Sequence, residues 1–309
     1  MRPPELNPEA IGMPSATNAT VTEIEPGVLA GPVRNVINPD SAAGEGSIHD
    51  KETAQRLGFR GGTVAGSYHM NLFPPLALEA FGPRWFERGS LSLFFRNATL
   101  DREPVRAFMR KPITGVNEQV DCWIRREDGM LVAEGSIAAG DPGEVTHLQK
   151  IPLEEISSAG CRILADIHVG DPIPETGMIM GGADLDRRLN SAAELLDWNL
   201  GPSPWGKPAL VPNSVVGLLY QPCVATIRQK VKQSVGLFGA IELRTINGPA
   251  LAETPYVVHG KVIAVGDSPR TEFFWYETYA NDQDGKRIGE MRMLLRFMKG
   301  SSPLWADAG

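Results

Sequence analysis

One stretch of this chain has a weak internal duplicate. Gly66-Ser-Tyr-His-Met-Asn-Leu-Phe-Pro-Pro75 aligns without a gap on Asn213-Ser-Val-Val-Gly-Leu-Leu-Tyr-Gln-Pro222. Ser67 falls on Ser214, Leu72 on Leu219 and Pro75 on Pro222. Both segments run on with apolar periodicity, to about 81 and about 231, which predicts one buried helix per half. The shared proline marks a kink or a restart in each. Four strand-like runs follow the first helix, at 90–100, 105–111, 118–127 and 130–138. Four more follow the second, at 240–247, 255–264, 272–280 and 287–298. The last pair in each half is joined by an Asp-Gly turn, Asp128-Gly129 and Asp284-Gly285, a strong hairpin signal. A helix too apolar to face water must lie across the sheet beside it. The expected class is therefore α+β: a long antiparallel sheet around a central helix, built twice. The expected copies are 20–142 and 160–299. Between them a linker runs from Gly140-Asp-Pro-Gly143 to about Ala159, and 1–19 and 300–309 read as loosely held tails.

Composition removes several classes of function. The 309 residues carry 37 acidic and 30 basic side chains, a net charge of −7, so no basic footprint for nucleic acid or an anionic membrane exists. No run of about 18 apolar residues could span a bilayer, and the first residues lack the apolar core of a signal peptide. Cys122, Cys161 and Cys223 are odd in number and far apart, which supports neither a disulfide framework nor a zinc knuckle. A soluble protein of the reducing cytoplasm is expected. His147, His168 and His259 have no ligand spacing, so no metal site is expected. Nucleophile-elbow, Walker and dinucleotide fingerprints are also missing; Gly61-Gly62 with Gly66 could pass for a phosphate cradle, but no Lys-Ser/Thr follows.

Chemistry concentrates between 46 and 66. His49 stands in a turn before a short helix, and Gly61, Gly62 and Gly66 stand immediately before the long apolar one. An imidazole exchanges protons near neutral pH, and main-chain N–H groups at a helix start can stabilise an oxyanion. Together they suit chemistry beside a thioester carbonyl. Asp50 reads as the cap of the short helix, with Thr53 in its first turn, and His69 as a packed core residue.

The repeat and this segment together resemble the MaoC-like dehydratases in their double-hotdog arrangement, which include (R)-specific enoyl-CoA hydratases. The sharp part of the likeness lies in Ile48-His49-Asp50, the helix around Thr53–Leu57, Gly58-Phe59-Arg60-Gly61 and Thr63-Val64-Ala65-Gly66. The chain departs from the family pattern where Gly44 replaces the catalytic Asp and Gly46-Ser47 replace Asn-Pro. The nearby acids are Glu45, Asp40 and Asp50. In the second copy Leu196 takes the place of His49, and Asp197-Trp198 keep only the acid.

The resemblance implies a double hotdog that hydrates or dehydrates an α,β-unsaturated or 3-hydroxy acyl-CoA thioester. His49 would be the proton shuttle, Glu45 its displaced acidic partner and Gly66 the backbone donor to the thioester oxygen. Thr63, Val64 and Ala65 would line the substrate, and the second half would shape the acyl pocket. It implies no cofactor beyond the CoA or carrier-protein thioester itself, and a homodimer. The alternative is a hotdog thioesterase or a non-catalytic acyl-CoA-binding protein. Arg96, with the group Arg106, Arg110 and Lys111, offers candidate anchors for CoA phosphates. Trp85, Phe86, Trp198 and Trp205 offer aromatic walls for an acyl group, or plain packing.

Overall fold

The computed structural model describes residues 20–40 and 46–306. Its strands are β1 (Thr22–Glu25), β2 (Val28–Ala30), β3 (Arg34–Asn35), β4 (Gly89–Phe95), β5 (Pro104–Arg110) and β6 (Val120–Arg126). They continue with β7 (Leu131–Ala139), β8 (Pro172–Ile179), β9 (Gly236–Thr245), β10 (Pro255–Asp267), β11 (Thr271–Asn281) and β12 (Arg287–Met298). All join one antiparallel sheet in the order β1-β2-β5-β6-β7-β4-β9-β12-β11-β10-β8, with β3 also pairing β5.

That order repeats itself. Reading outward from the centre, β4-β7-β6-β5-β2 is matched by β9-β12-β11-β10-β8. The two series meet where β4 pairs β9, with Ser90 opposite Arg244 and Phe94 opposite Ala240. The duplication seen in the helices thus extends to five strands on each side of one central seam. Both Asp-Gly turns close hairpins at positive φ, 83° at Gly129 and 79° at Gly285.

The two helical segments differ. In the first half the expected continuous helix is three pieces: Gly66–His69, a 3-10 turn at Met70–Leu72 and a new helix at Pro74–Phe81. Pro74 and Pro75 lack N–H groups and so begin a helix rather than continue one. In the second half the helix Pro212–Ala225 runs through Pro222 near its end and passes into a 3-10 turn at Ile227–Lys230. Phe73, Leu76, Leu218 and Leu219 from these segments are 0 % exposed and share one buried cluster with Leu91, Leu93, Ile241 and Tyr276 of the sheet. Burying each such side chain contributes roughly 1.5–3 kcal/mol.

The connection between the halves does more than link them. Leu148, Ile151, Leu153 and Ile156 pack with Trp275, Leu294 and Ala264 in a separate cluster. The Ser136 and Ser92 hydroxyls accept from the backbone N–H groups of His147 and Leu148 at 2.8 and 3.0 Å. Thr146 donates to the buried Glu242, whose carboxyl is pushed up by burial.

Residues 300–306 are held as well, contrary to the loose tail expected there. Trp305 Nε1 donates to Glu272 at 2.7 Å, and the same buried carboxylate accepts from the backbone N–H groups of Arg162 and Leu164 at 2.9 Å each. The expected tail at 1–19 lies outside the described residues. Among the described residues no helix is long and apolar enough to cross a membrane.

Candidate functional site

Two turns are laced together to hold His49. Asp50 caps the helix Lys51–Arg56, accepting from Thr53 N–H at 2.8 Å, and that bond holds its carboxyl below the usual range. The turn before it is fixed by Ser47, whose hydroxyl accepts from His49 N–H at 3.1 Å. The incoming strand segment then crosses underneath. Thr63 N–H donates to the Ile48 carbonyl at 2.8 Å, and Asn38 Nδ2 donates to the His49 carbonyl at 3.1 Å. Gly62 permits this crossing, because a Cβ there would collide with the His49 carbonyl oxygen.

The ring itself is oriented by one bond. His49 Nδ1 lies 2.7 Å from the Thr63 carbonyl oxygen. A carbonyl only accepts, so Nδ1 carries the proton in the neutral ring and Nε2 keeps its lone pair. That is the tautomer a proton acceptor needs. Past Thr63 the chain is pinned by Val64 N–H on the Thr99 carbonyl at 3.0 Å and then enters the helix at Gly66. Gly66 is the first helical residue, so its N–H has no acceptor within the helix.

These groups face one cavity of about 470 Å³. His49, Thr63, Val64, Ala65, Gly66 and Arg96 all line it. Glu45 and Gly44 lie outside the described residues. The second half supplies the opposite wall, including Arg187, Tyr220, Phe238 and Phe297. Leu196 stands before the short helix Asp197–Leu200, as His49 stands before its own, and offers no ionisable group there.

Several wall residues were not singled out in the sequence. Arg187 binds Asp184 at 2.6 Å and Asp40 at 3.3 Å, and donates to the Tyr68 hydroxyl at 3.1 Å. Burial, then the Asp40 charge, raises the Tyr68 phenol above its ordinary value. Asp40, Arg187 and Tyr68 all line the cavity, so a cation from the second half completes the first half's wall. Arg188 beside it bonds the Asn213 carbonyl at 2.8 Å and lies flat on Gly217, where a Cβ would strike its guanidinium carbon. One signal could have found Arg187: the repeat that sets Ser67 on Ser214 sets Asp40 on Arg187.

His69 is the core residue expected, and also part of the wall. It is 2 % exposed, shares a 2.9 Å bond between Nε2 and Thr99 Oγ1, and has its pKa lowered to about 4 by burial. Its Nδ1 has no well-formed hydrogen bond, although the Ala65 carbonyl lies close enough to favour the charged ring slightly.

One expectation is corrected and one open choice is decided for packing. Arg106, Arg110 and Lys111 do not line the cavity. Arg106 bonds the Gly31 carbonyl at 2.6 Å, Arg110 lies over Trp123 and Lys111 pairs with Glu23 at 3.0 Å. Trp85, Phe86, Trp198 and Trp205 are likewise not acyl walls of this cavity. They pack on one another across the two halves, with Phe86 5.4 Å from Trp198 and 5.7 Å from Trp205. Arg96 does line the cavity but is already paired with Glu134 at 2.6 Å. Among the described residues no group of three or more His, Cys, Asp or Glu is placed to hold a metal ion.

The strand order has solved counterparts. A protein of Mycobacterium tuberculosis described as having a double hotdog fold matches 91 % of this chain and 97 % of its own, at 10 % identity and a TM-score of 0.53. The fold is a double hotdog. A protein described as a MaoC-domain dehydratase of Chloroflexus aurantiacus matches 86 % of this chain and 93 % of its own, at 11 % identity and a TM-score of 0.58. A MaoC-like dehydratase covers 87 % and 97 % at 12 % identity and a TM-score of 0.50. No protein-family model matches the sequence, and the search of curated proteins gave no significant match. At these identities the likeness is one of fold, and the chemistry must be argued from the double hotdog's own cavity.

Proposed function

We propose that this protein is a MaoC-like hydro-lyase that adds water to, or removes it from, the α,β-bond of an acyl-CoA-type thioester. The observation that carries this reading is His49, held by Thr63 in the tautomer with Nε2 free, on the same cavity wall as the first N–H of the Gly66 helix. In hydration His49 takes a proton from water as the oxygen bonds to the β-carbon. The π electrons move onto the thioester oxygen, which accepts a hydrogen bond from Gly66 N–H. A proton then returns to the α-carbon, and dehydration runs the same steps backwards. Glu45 is the proposed acidic partner. The thioester is substrate and the reaction needs no further cofactor. A cytoplasmic homodimer belongs to the same proposal, and light scattering on the purified protein tests the pairing.

The test is turnover. Purified protein is incubated with crotonyl-CoA and bulkier enoyl-CoAs, and loss of the conjugated absorbance is followed. Turnover of at least one substrate supports the reading; none, beside an active control hydratase, overturns it.

A second reading rests on Gly44 and Asp40. The carboxylate expected at 44 is missing, and Asp40, the described carboxylate on the cavity wall, is engaged by Arg187. If Glu45 does not fill the gap, the same cavity binds a thioester without hydrating it, or hydrolyses it. Free thiol release, or CoA binding without product, would show this.

A further inference from the structure

Among the described residues the charges on the cavity wall do not balance. Four guanidinium groups line it, those of Arg96, Arg187, Arg188 and Arg228. Arg96 is neutralised by Glu134, and Arg187 and Arg188 by Asp184 and Asp40. Arg228 pairs with no carboxylate among the described residues. The excess stands out in a chain whose net charge is −7.

Arg228 is held inward by apolar neighbours rather than by an acid. It lies in the 3-10 turn Ile227–Lys230 that ends the second half's long helix. Its guanidinium carbon sits 4.9 Å from the centre of the Phe297 ring, which is 1 % exposed. Gly236 lies against the same ring, where a Cβ would stand a tight 3.1 Å from Phe297 and in ordinary contact, 3.5 Å, with Arg228 Nη1. The positive charge reaches the Cys223 thiol and the Tyr276 phenol, both fully buried, and opposes the upward push of burial on each. The Tyr220 hydroxyl also interacts with it. A guanidinium beside a phenol hydroxyl and over one aromatic ring presents a planar fork matched to one carboxylate. An unbranched fatty chain laid there would bury the charge without a counter-charge, which is costly. A phosphate dianion would want more donors than this wall offers.

We propose that Arg228 receives an anionic oxygen at the far end of the acyl group, so that the cavity prefers thioesters of dicarboxylic acids to those of plain fatty acids. This rests on the acyl-thioester reading above and names its substrate class. The same guanidinium could meet anionic oxygen from the acyl group or from a CoA phosphate, and the experiment separates them.

Binding of saturated thioesters, which are not hydrated, is measured by calorimetry on the full chain. Succinyl-, glutaryl- and adipyl-CoA are compared with butyryl-, valeryl- and hexanoyl-CoA and with free CoA, for wild type, Arg228→Gln and Arg228→Lys. Wild type is expected to bind at least one diacid thioester about tenfold or more tighter than its monoacid counterpart. Arg228→Gln should erase that preference while leaving free CoA binding unchanged, and Arg228→Lys should keep part of it. Unchanged CoA binding also shows that the variant is folded. Equal binding of the two series by wild type overturns the proposal. So does an equal loss for every ligand in Arg228→Gln, which would assign the residue to a CoA phosphate or to folding. Binding of no thioester at all would sink the acyl-thioester reading and this proposal with it, a result distinct from the other two.

Discussion

The ring of Phe95 lies so close to Gly66 that a Cβ on this residue would fall 2.5 Å from the ring edge. The helix that starts at Gly66 is thus docked against β4 at van der Waals distance, and only glycine allows it. Gly66→Ala should destabilise the protein by about 1–3 kcal/mol through overpacking. It should also lower activity by displacing the main-chain donor. Phe95→Leu in the same chain should recover most of the stability. Urea unfolding of the single and double variants checks this, and an unaltered midpoint for Gly66→Ala would contradict it.

The acidic partner is identified by comparing three substitutions. His49→Ala should reduce kcat by about 10²–10⁴, the usual contribution of a positioned proton carrier. Glu45→Gln should fall as far if the displaced carboxylate works with it. Asp40→Asn should cost less, because Asp40 serves Arg187 at 3.3 Å and Arg187 keeps Asp184. Should Asp40→Asn match His49→Ala while Glu45→Gln stays active, the roles are reversed.

His69 makes stability depend on pH. Its pKa in the fold is about 4, against about 6.5 in the unfolded chain. Between these values the unfolded state binds the proton and the folded state does not. Stability therefore falls as pH drops from about 6.5 to 4 and is flat with respect to this group above 6.5. The depression corresponds to about 3 kcal/mol for a fully buried ring. His69→Gln should show a shallower loss than wild type over that window. Parallel curves of unfolding free energy against pH would contradict the assignment.

Glu272 ties three segments together: 162–164, the strand β11 and Trp305. Glu272→Gln keeps the shape but replaces one accepting oxygen by a donor facing other donors. A loss of about 1–3 kcal/mol is expected. Trp305 fluorescence should report its release in the folded state. An unchanged emission and unfolding midpoint would show that the tail is held by packing alone.

The sequence made the strands after each helix legible because their signals are local. Alternation, branched and aromatic residues and the two Asp-Gly turns sit within a few residues of each other. The strands it did not reveal are short or at a sheet edge. β8, Pro-Ile-Pro-Glu-Thr-Gly-Met-Ile, carries two prolines and a glycine, which an edge strand tolerates and a local reading takes for a loop. β1 to β3 have nine residues between them and gain their structure by pairing with β5 and with each other. Likewise, His49 and Gly66 could be selected from one stretch of chain, whereas Arg187 and Arg228 reach the cavity only through the meeting of the two halves. The aromatic residues stayed ambiguous between wall and packing for the same reason: Phe86 meets Trp198 from more than a hundred residues away, and nothing local says so.

The most direct test of the central claim is a crystal structure with a saturated acyl-CoA bound. The thioester oxygen is predicted to accept from Gly66 N–H at about 3 Å, with the β-carbon facing Nε2 of His49. An acyl group lying outside the cavity, or a His49 ring turned from the β-carbon, would contradict the account.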